Sequence, residues 1–178
     1  MLSAKDIGLT FNKHKPEIVA NSDASWNVVP IPFGGHVVFY GGAAVSYSAR
    51  KVKIVPQSSA EAETAAYSKA AKDVRPLRDE HRRPRGLPAQ AVAARHHQHK
   101  CDKNQAAVSS IKNAGSTQRN RHYERWLREQ YLDLISTPLW ISTDPDIMVA
   151  DIFTKPLDKT AFLKFRAVLL NYGLGKNA

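Results

Sequence analysis

Short apolar runs fill the chain up to about residue 55, and helical stripes follow Ser58. Residues 17–21 (EIVAN) form an apolar run that leads into Ser22 and Asp23, read as a first strand. The prolines and glycines of residues 27–35 (NVVPIPFGG) predict a turn. Residues 36–41 (HVVFYG) are β-branched and aromatic and predict a strand. Gly41 and Gly42 predict a tight turn into a second hairpin strand at 43–48 (AAVSYS), with residues 51–55 as its end or a third short stretch. From Ser58, whose hydroxyl can cap, the Ala-rich stretch AEAETAAYSKAAKD predicts a helix. Further helices are predicted at 104–113, at 122–135 with Trp126, Tyr131 and Leu134 on one face, and at 160–171, ended by Gly173. A short strand is predicted at 139–142 and a helical turn within 147–154. Strands first, then a helix, then alternation describe an α/β chain: a mixed sheet with helices on its faces.

The length of 178 residues suits one domain, and a hydrophobic share of 43% argues against global disorder. No apolar run approaches the roughly 18 residues of a membrane span, and the first residues lack a signal-peptide stretch, so no membrane partner is expected. The single cysteine, Cys101, cannot form an internal disulfide, which points to a reducing intracellular compartment, cytoplasmic or nuclear.

Charge changes the picture. The net charge is +10 and the pI about 9.8, within the range that raises a nucleic-acid partner. Half of that charge lies in residues 75–100, where six Arg and one Lys face only Asp79 and Glu80. Four of the seven histidines are there too: His81, His96, His97 and His99. Against this basic background four acids stand in separate short strings: Asp23 in NSDASW, Glu63 in SSAEAE, Asp102 in CDKNQAAV and Asp151 in ADIFTKPL. Carboxylates that converge from distant positions can hold divalent metal. Two Mg²⁺ ions about 4 Å apart can activate water and neutralise charge on a phosphodiester, and Mg²⁺ prefers such hard oxygen ligands.

These strings, in this order, resemble the ribonuclease H domain at the end of the Pol polyprotein of copia-type retrotransposons, over most of residues 5–172. ADIFTKPL is the most specific of them. The resemblance implies a ribonuclease H-like fold, a five-stranded mixed sheet flanked by helices. It implies hydrolysis of the RNA strand of RNA–DNA hybrids with two Mg²⁺ ions, Mn²⁺ being a substitute. The parent polyprotein would supply reverse transcriptase and other Pol domains as partners. Residues 1–16 then read as a remnant of the connection to reverse transcriptase, 17–172 as the ribonuclease H-like domain and 173–178 as a tail. By the same resemblance Asp23 bridges both metals, Glu63 and Asp102 are core ligands, and Asp151 helps hold the second metal. Glu61 and Glu63 are two apart on a helix and face different ways; aligning the helix with the relatives selects Glu63, leaving Glu61 to complement the helix dipole. Arg121-His122-Tyr123-Glu124 and Trp126-Leu127-Arg128-Glu129 match the two halves of a basic family stretch, about three residues shortened. Arg119, Arg121, His122 and Arg128 are therefore candidates for nucleic-acid contacts, the arginines at backbone phosphates, with a solvated helix face as the alternative. Trp126 reads as core.

The chain departs from the family in the middle. Relatives run an apolar central strand into Cys-Asp-Asn-Gln; here ARHHQHK precedes Cys101-Asp102-Lys103-Asn104-Gln105, with Lys103 extra. Such a stretch is a degraded central strand, because buried Arg, His and Lys lack solvent or partners. Residues 76–100 read as translated out of frame between two compensating indels, which translation of the coding DNA in its other frames checks. A natural basic insertion, or a metal site from His96, His97, His99 and Cys101, are the alternatives. At the level of function two further readings compete with the nuclease: an inactive retrotransposon remnant that binds nucleic acid through its basic surface, and a basic α/β binding module outside the family.

Overall fold

The computed structural model describes residues 7–14, 17–25, 32–53, 56, 58–82, 93–96, 118–132, 137–140 and 148–172. Three antiparallel strands form its centre: β1 (Ile18–Ala24), β2 (Phe33–Tyr40) and β3 (Ala43–Lys51). Gly41 and Gly42 join β2 to β3 with φ of 58° and 81°, the left-handed conformation that a two-residue hairpin turn requires. The turn expected at residues 27–35 ends sooner than its glycines indicate. Phe33, Gly34 and Gly35 already belong to β2, with Gly34 opposite Ala24 and Gly35 opposite Asp23. Close approach explains the glycines: a Cβ on Gly34 would lie 3.3 Å from the Ala66 Cβ, and one on Gly35 2.6 Å from the Phe153 Cβ.

Helix α1 (Ser59–Arg82) covers one face of this sheet. Its first turn is capped as expected, with the Glu61 amide donating to Ser58 Oγ at 3.3 Å. Ala65, Ala66, Tyr67, Ala70, Ala71 and Val74 are all buried, and these mostly small side chains let the helix lie close to the sheet. Tyr67, Ala70, Ala71 and Val74 meet Ile18, Ala20 and Val38 in one apolar cluster. A polar clasp joins the same layers: Asp73 accepts from Ser46 Oγ at 2.9 Å and lies 2.9 Å from Nε2 of the buried His36. The helix is longer than its Ala-rich body, for it runs through Pro76 to Arg82. The first residues of the basic segment are thus helical, with Leu77 against the apolar cluster and Arg78 buried. Long side chains make this feasible, because their aliphatic stems pack like apolar groups.

On the other side of β1 the backbone of β4 (Ala93–His96) runs parallel to it, and β5 (Thr137–Trp140) runs parallel to β4. Each is four residues long. The short strand β4 therefore arises inside the segment that reads as a poor strand, and β5 begins two residues earlier than expected and contains Pro138. Helix α2 (Gln118–Leu132) starts earlier than residue 122 and lies against α1. Leu127 is its buried apolar side chain among the described residues, and Trp126 packs at the edge of the cluster with the Lys72 ammonium 5.5 Å from its ring centroid. The helix expected at 104–113 lies outside the described residues.

A short 3-10 helix (Val149–Phe153) forms the expected helical turn and leads to α3 (Lys159–Leu170). Val149 of this turn and Phe165 of α3 close a second apolar cluster with Val37 and Phe39 of β2. Asp158 caps α3 by accepting from the Ala161 amide at 2.9 Å. Its C-terminal cap is Asn171 in the left-handed conformation, φ 51°, not Gly173. Asn is the one common alternative to glycine there, and Asn171 Nδ2 also donates to the Thr10 carbonyl at 2.8 Å. The early segment is docked at this corner, with the Thr10 amide donating to Leu170 O and the Asn12 amide to Gly41 O. Among the described residues no helix is long and apolar enough to cross a membrane.

Candidate active site

Asp23 stands near the end of β1, pairs with Gly35 in register, and is 2% exposed. The missing side chain at Gly35 is what brings in the 3-10 turn, since a Cβ there would also lie 2.8 Å from Thr154 Cγ2. Thr154 follows that turn directly and its hydroxyl donates to Asp23 Oδ2. Asp151, in the turn itself, is buried, and its carbonyl accepts from the amides of Thr154 and Lys155 at 3.1 and 2.9 Å. One helical turn on, the Lys155 ammonium hydrogen-bonds Asp151 Oδ1 at 2.8 Å and lies 3.9 Å from Asp23 Oδ2.

Glu63 joins this group from the first turns of α1. It is 4% exposed, and its Oε2 has no hydrogen-bond partner among the described residues. Burial, then the negative charge of Asp23, push its carboxyl from the usual 4.5 up to about 8, with Lys155 pulling in the opposite sense. Loss of solvent and a like charge both disfavour the carboxylate. Glu61, two residues earlier, is also buried.

Three of the four expected acids, Asp23, Glu63 and Asp151, thus come from the first strand, the first helix and the last turn into one neighbourhood. Asp102 lies outside the described residues, as do His97, His99 and Cys101 and the side chain of His96. Among the described residues no three His, Cys, Asp or Glu side chains stand in ready metal-ligating geometry. The donor chemistry nevertheless suits a hard divalent cation: the gathered groups are all carboxylates, and one buried oxygen of Glu63 makes no hydrogen bond among the described residues. Of the expected nucleic-acid contacts, Arg121, His122 and Arg128 are exposed on α2, and Arg119 lies in its first turn. Sequence reasoning passed over Thr154, Lys155 and Gly35 as site residues. The four-residue spacing from Asp151 to Lys155 is the signal that could have found the lysine.

No family profile matches the chain, and no curated protein matches it in sequence. Solved structures do. One is LC11-RNase H1, isolated from compost by a metagenomic approach, with a TM-score of 0.54, 14% identity, and coverage of 78% of this chain and 93% of that one. Another is LC11-RNase H1 in complex with an RNA/DNA hybrid, with a TM-score of 0.53, 14% identity, and coverage of 78% and 94%. The chain therefore has a ribonuclease H-like α/β fold.

Proposed function

We propose that this chain is a metal-dependent endonuclease that hydrolyses the RNA strand of RNA–DNA hybrids, derived from the Pol polyprotein of a copia-type retrotransposon. The observation that carries the reading is the meeting of Asp23, Glu63 and Asp151 at the end of β1 in a ribonuclease H-like fold. In this reading the sheet is the five-stranded mixed sheet of that fold, with Asp102 following β4 as the fourth acid. Asp23, Glu63, Asp102 and Asp151 would hold two Mg²⁺ ions, or Mn²⁺ in their place. When bound, such ions neutralise phosphate charge and activate water.

The chain's own residues then have distinct tasks. Asp23 is held in place by the Thr154 hydroxyl, so its orientation is set before any ligand arrives. Glu63, whose carboxyl is pushed up to about 8, would serve as a ligand in its ionised form. Arg119, Arg121, His122 and Arg128 contact the nucleic acid, the arginines at backbone phosphates, without reading sequence. Preference for a hybrid comes from 2′-hydroxyl contacts and helix shape. Reverse transcriptase and other Pol domains are the proposed partners, and the compartment is intracellular, cytoplasmic or nuclear.

A second reading is a remnant that binds nucleic acid without cutting. It is favoured by the four-residue β4 and by Lys103 beside Asp102. Cleavage of a labelled RNA–DNA hybrid by the purified chain with Mg²⁺ separates the two, with Asp23→Asn as control. Cutting that is lost in Asp23→Asn supports the nuclease. A folded chain that binds the hybrid and leaves it intact is the remnant.

A further inference from the structure

Asp151 Oδ1 and Asp23 Oδ2 face one common cation, the ammonium of Lys155, at 2.8 and 3.9 Å. The two acids are enclosed and the lysine is open to solvent. Their side chains are 8% and 3% exposed, whereas that of Lys155 is 45% exposed and has a path to solvent. The lysine is also tethered: its backbone amide donates to the Asp151 carbonyl at 2.9 Å, one turn from the acid it pairs with. Such a side chain can leave the carboxylates and return without any change in the backbone. The same charge acts on the third acid, since Lys155 opposes the upward push on Glu63.

We infer that Lys155 is a built-in competitor of divalent cations for Asp23 and Asp151, a positioning residue that holds the two carboxylates side by side and sets the affinity with which metal enters. The inference rests on the metal-binding reading given above. A divalent cation bound through these oxygens takes the place of the ammonium, and its affinity is lowered by the free energy of the lysine's own contacts. One partly buried charged hydrogen bond corresponds to roughly a tenfold change in that affinity.

The test is calorimetric titration of Mn²⁺ into the full chain as wild type, Lys155→Met, Lys155→Gln and Asp23→Asn, with circular dichroism to show that each is folded. The expected result is Mn²⁺ binding about tenfold tighter in Lys155→Met than in wild type, and absent in Asp23→Asn. Lys155→Gln reads the same quantity if the methionine variant does not fold. Lysine variants that bind no more tightly than wild type, while Asp23→Asn has lost binding, overturn the competition and leave the metal site standing. Binding unchanged in Asp23→Asn, or absent from every chain, sinks the metal site itself and the competition with it.

Discussion

The Thr154 hydroxyl hydrogen-bonds the Asp23 carboxylate across 131 residues of sequence. This bond ties the last acidic turn to the first strand, and Lys155 and Asp151 follow from it. Thr154→Val keeps the branched shape and removes the donor. A hydrogen bond to a buried charge contributes about 1.5–3 kcal/mol, so unfolding free energy in urea should fall by about that amount, and hybrid cleavage should fall with it. Thr154→Ser should restore much of both. A valine variant equal to wild type in stability would remove the bond from the account of the site.

Gly35 is the position where strand and turn come closest. A methyl group there would stand 2.6 Å from the Phe153 Cβ and 2.8 Å from Thr154 Cγ2, well inside contact distance. Gly35→Ala should therefore push the 3-10 turn away from β1, costing about 1–3 kcal/mol of stability, the usual range for overpacking. Denaturant unfolding measures this. Cleavage activity should drop further than stability alone accounts for, because a displacement of about 1 Å at a catalytic group can cost two orders of magnitude in rate.

Glu63 makes stability depend on pH. Its carboxyl titrates near 8 in the fold and near 4.5 when unfolded. Between those values the folded chain holds a proton that the unfolded chain has released. Stability is therefore lost as pH rises from about 4.5 through about 8, and is fully retained below the lower value. Glu63→Gln cannot titrate and should flatten this part of the profile. Thermal melts from pH 5 to 9 in chelator compare the two; parallel curves would mean that Glu63 is not protonated in the fold.

Pro76 sits inside α1 and is exposed. It has no amide to give the preceding turn, and the ring of an interior proline generally crowds the carbonyl four residues back. Pro76→Ala should raise the unfolding free energy by about 1–3 kcal/mol, up to the usual cost of an interior proline. Unchanged stability would show that the end of α1 contributes little to the folded state.

Local order was legible where local chemistry decides it. The Gly41-Gly42 turn, the β-branched run before it, the Ser58 cap and the Ala-rich body of α1 all depend on neighbours a few residues apart. The readings that moved are those settled by distant contacts. Gly34 and Gly35 look like turn residues until Ala66 and Phe153 occupy the space beside them. Gly173 looks like the helix stop until Asn171 finds the Thr10 carbonyl. The basic segment looks unable to enter the fold, yet Leu77 and Arg78 pack within α1.

The sequence by itself determined the candidate acids, because Asp23, Glu63 and Asp151 stand in recognisable strings within a basic chain, and it determined the succession of β1, β2, β3 and α1. Only the tertiary structure decided how those acids meet. The pairing of Asp23 with Gly35 fixes where the 3-10 turn can settle, and that turn delivers Thr154 and Lys155 to Asp23. It also buried Glu63 beside Asp23, and burial first, then that charge, lifts its carboxyl to about 8. The physical reason is range. Hydrophobic period and capping act over a few residues, whereas burial and charge coupling arise only when segments distant in sequence are packed together.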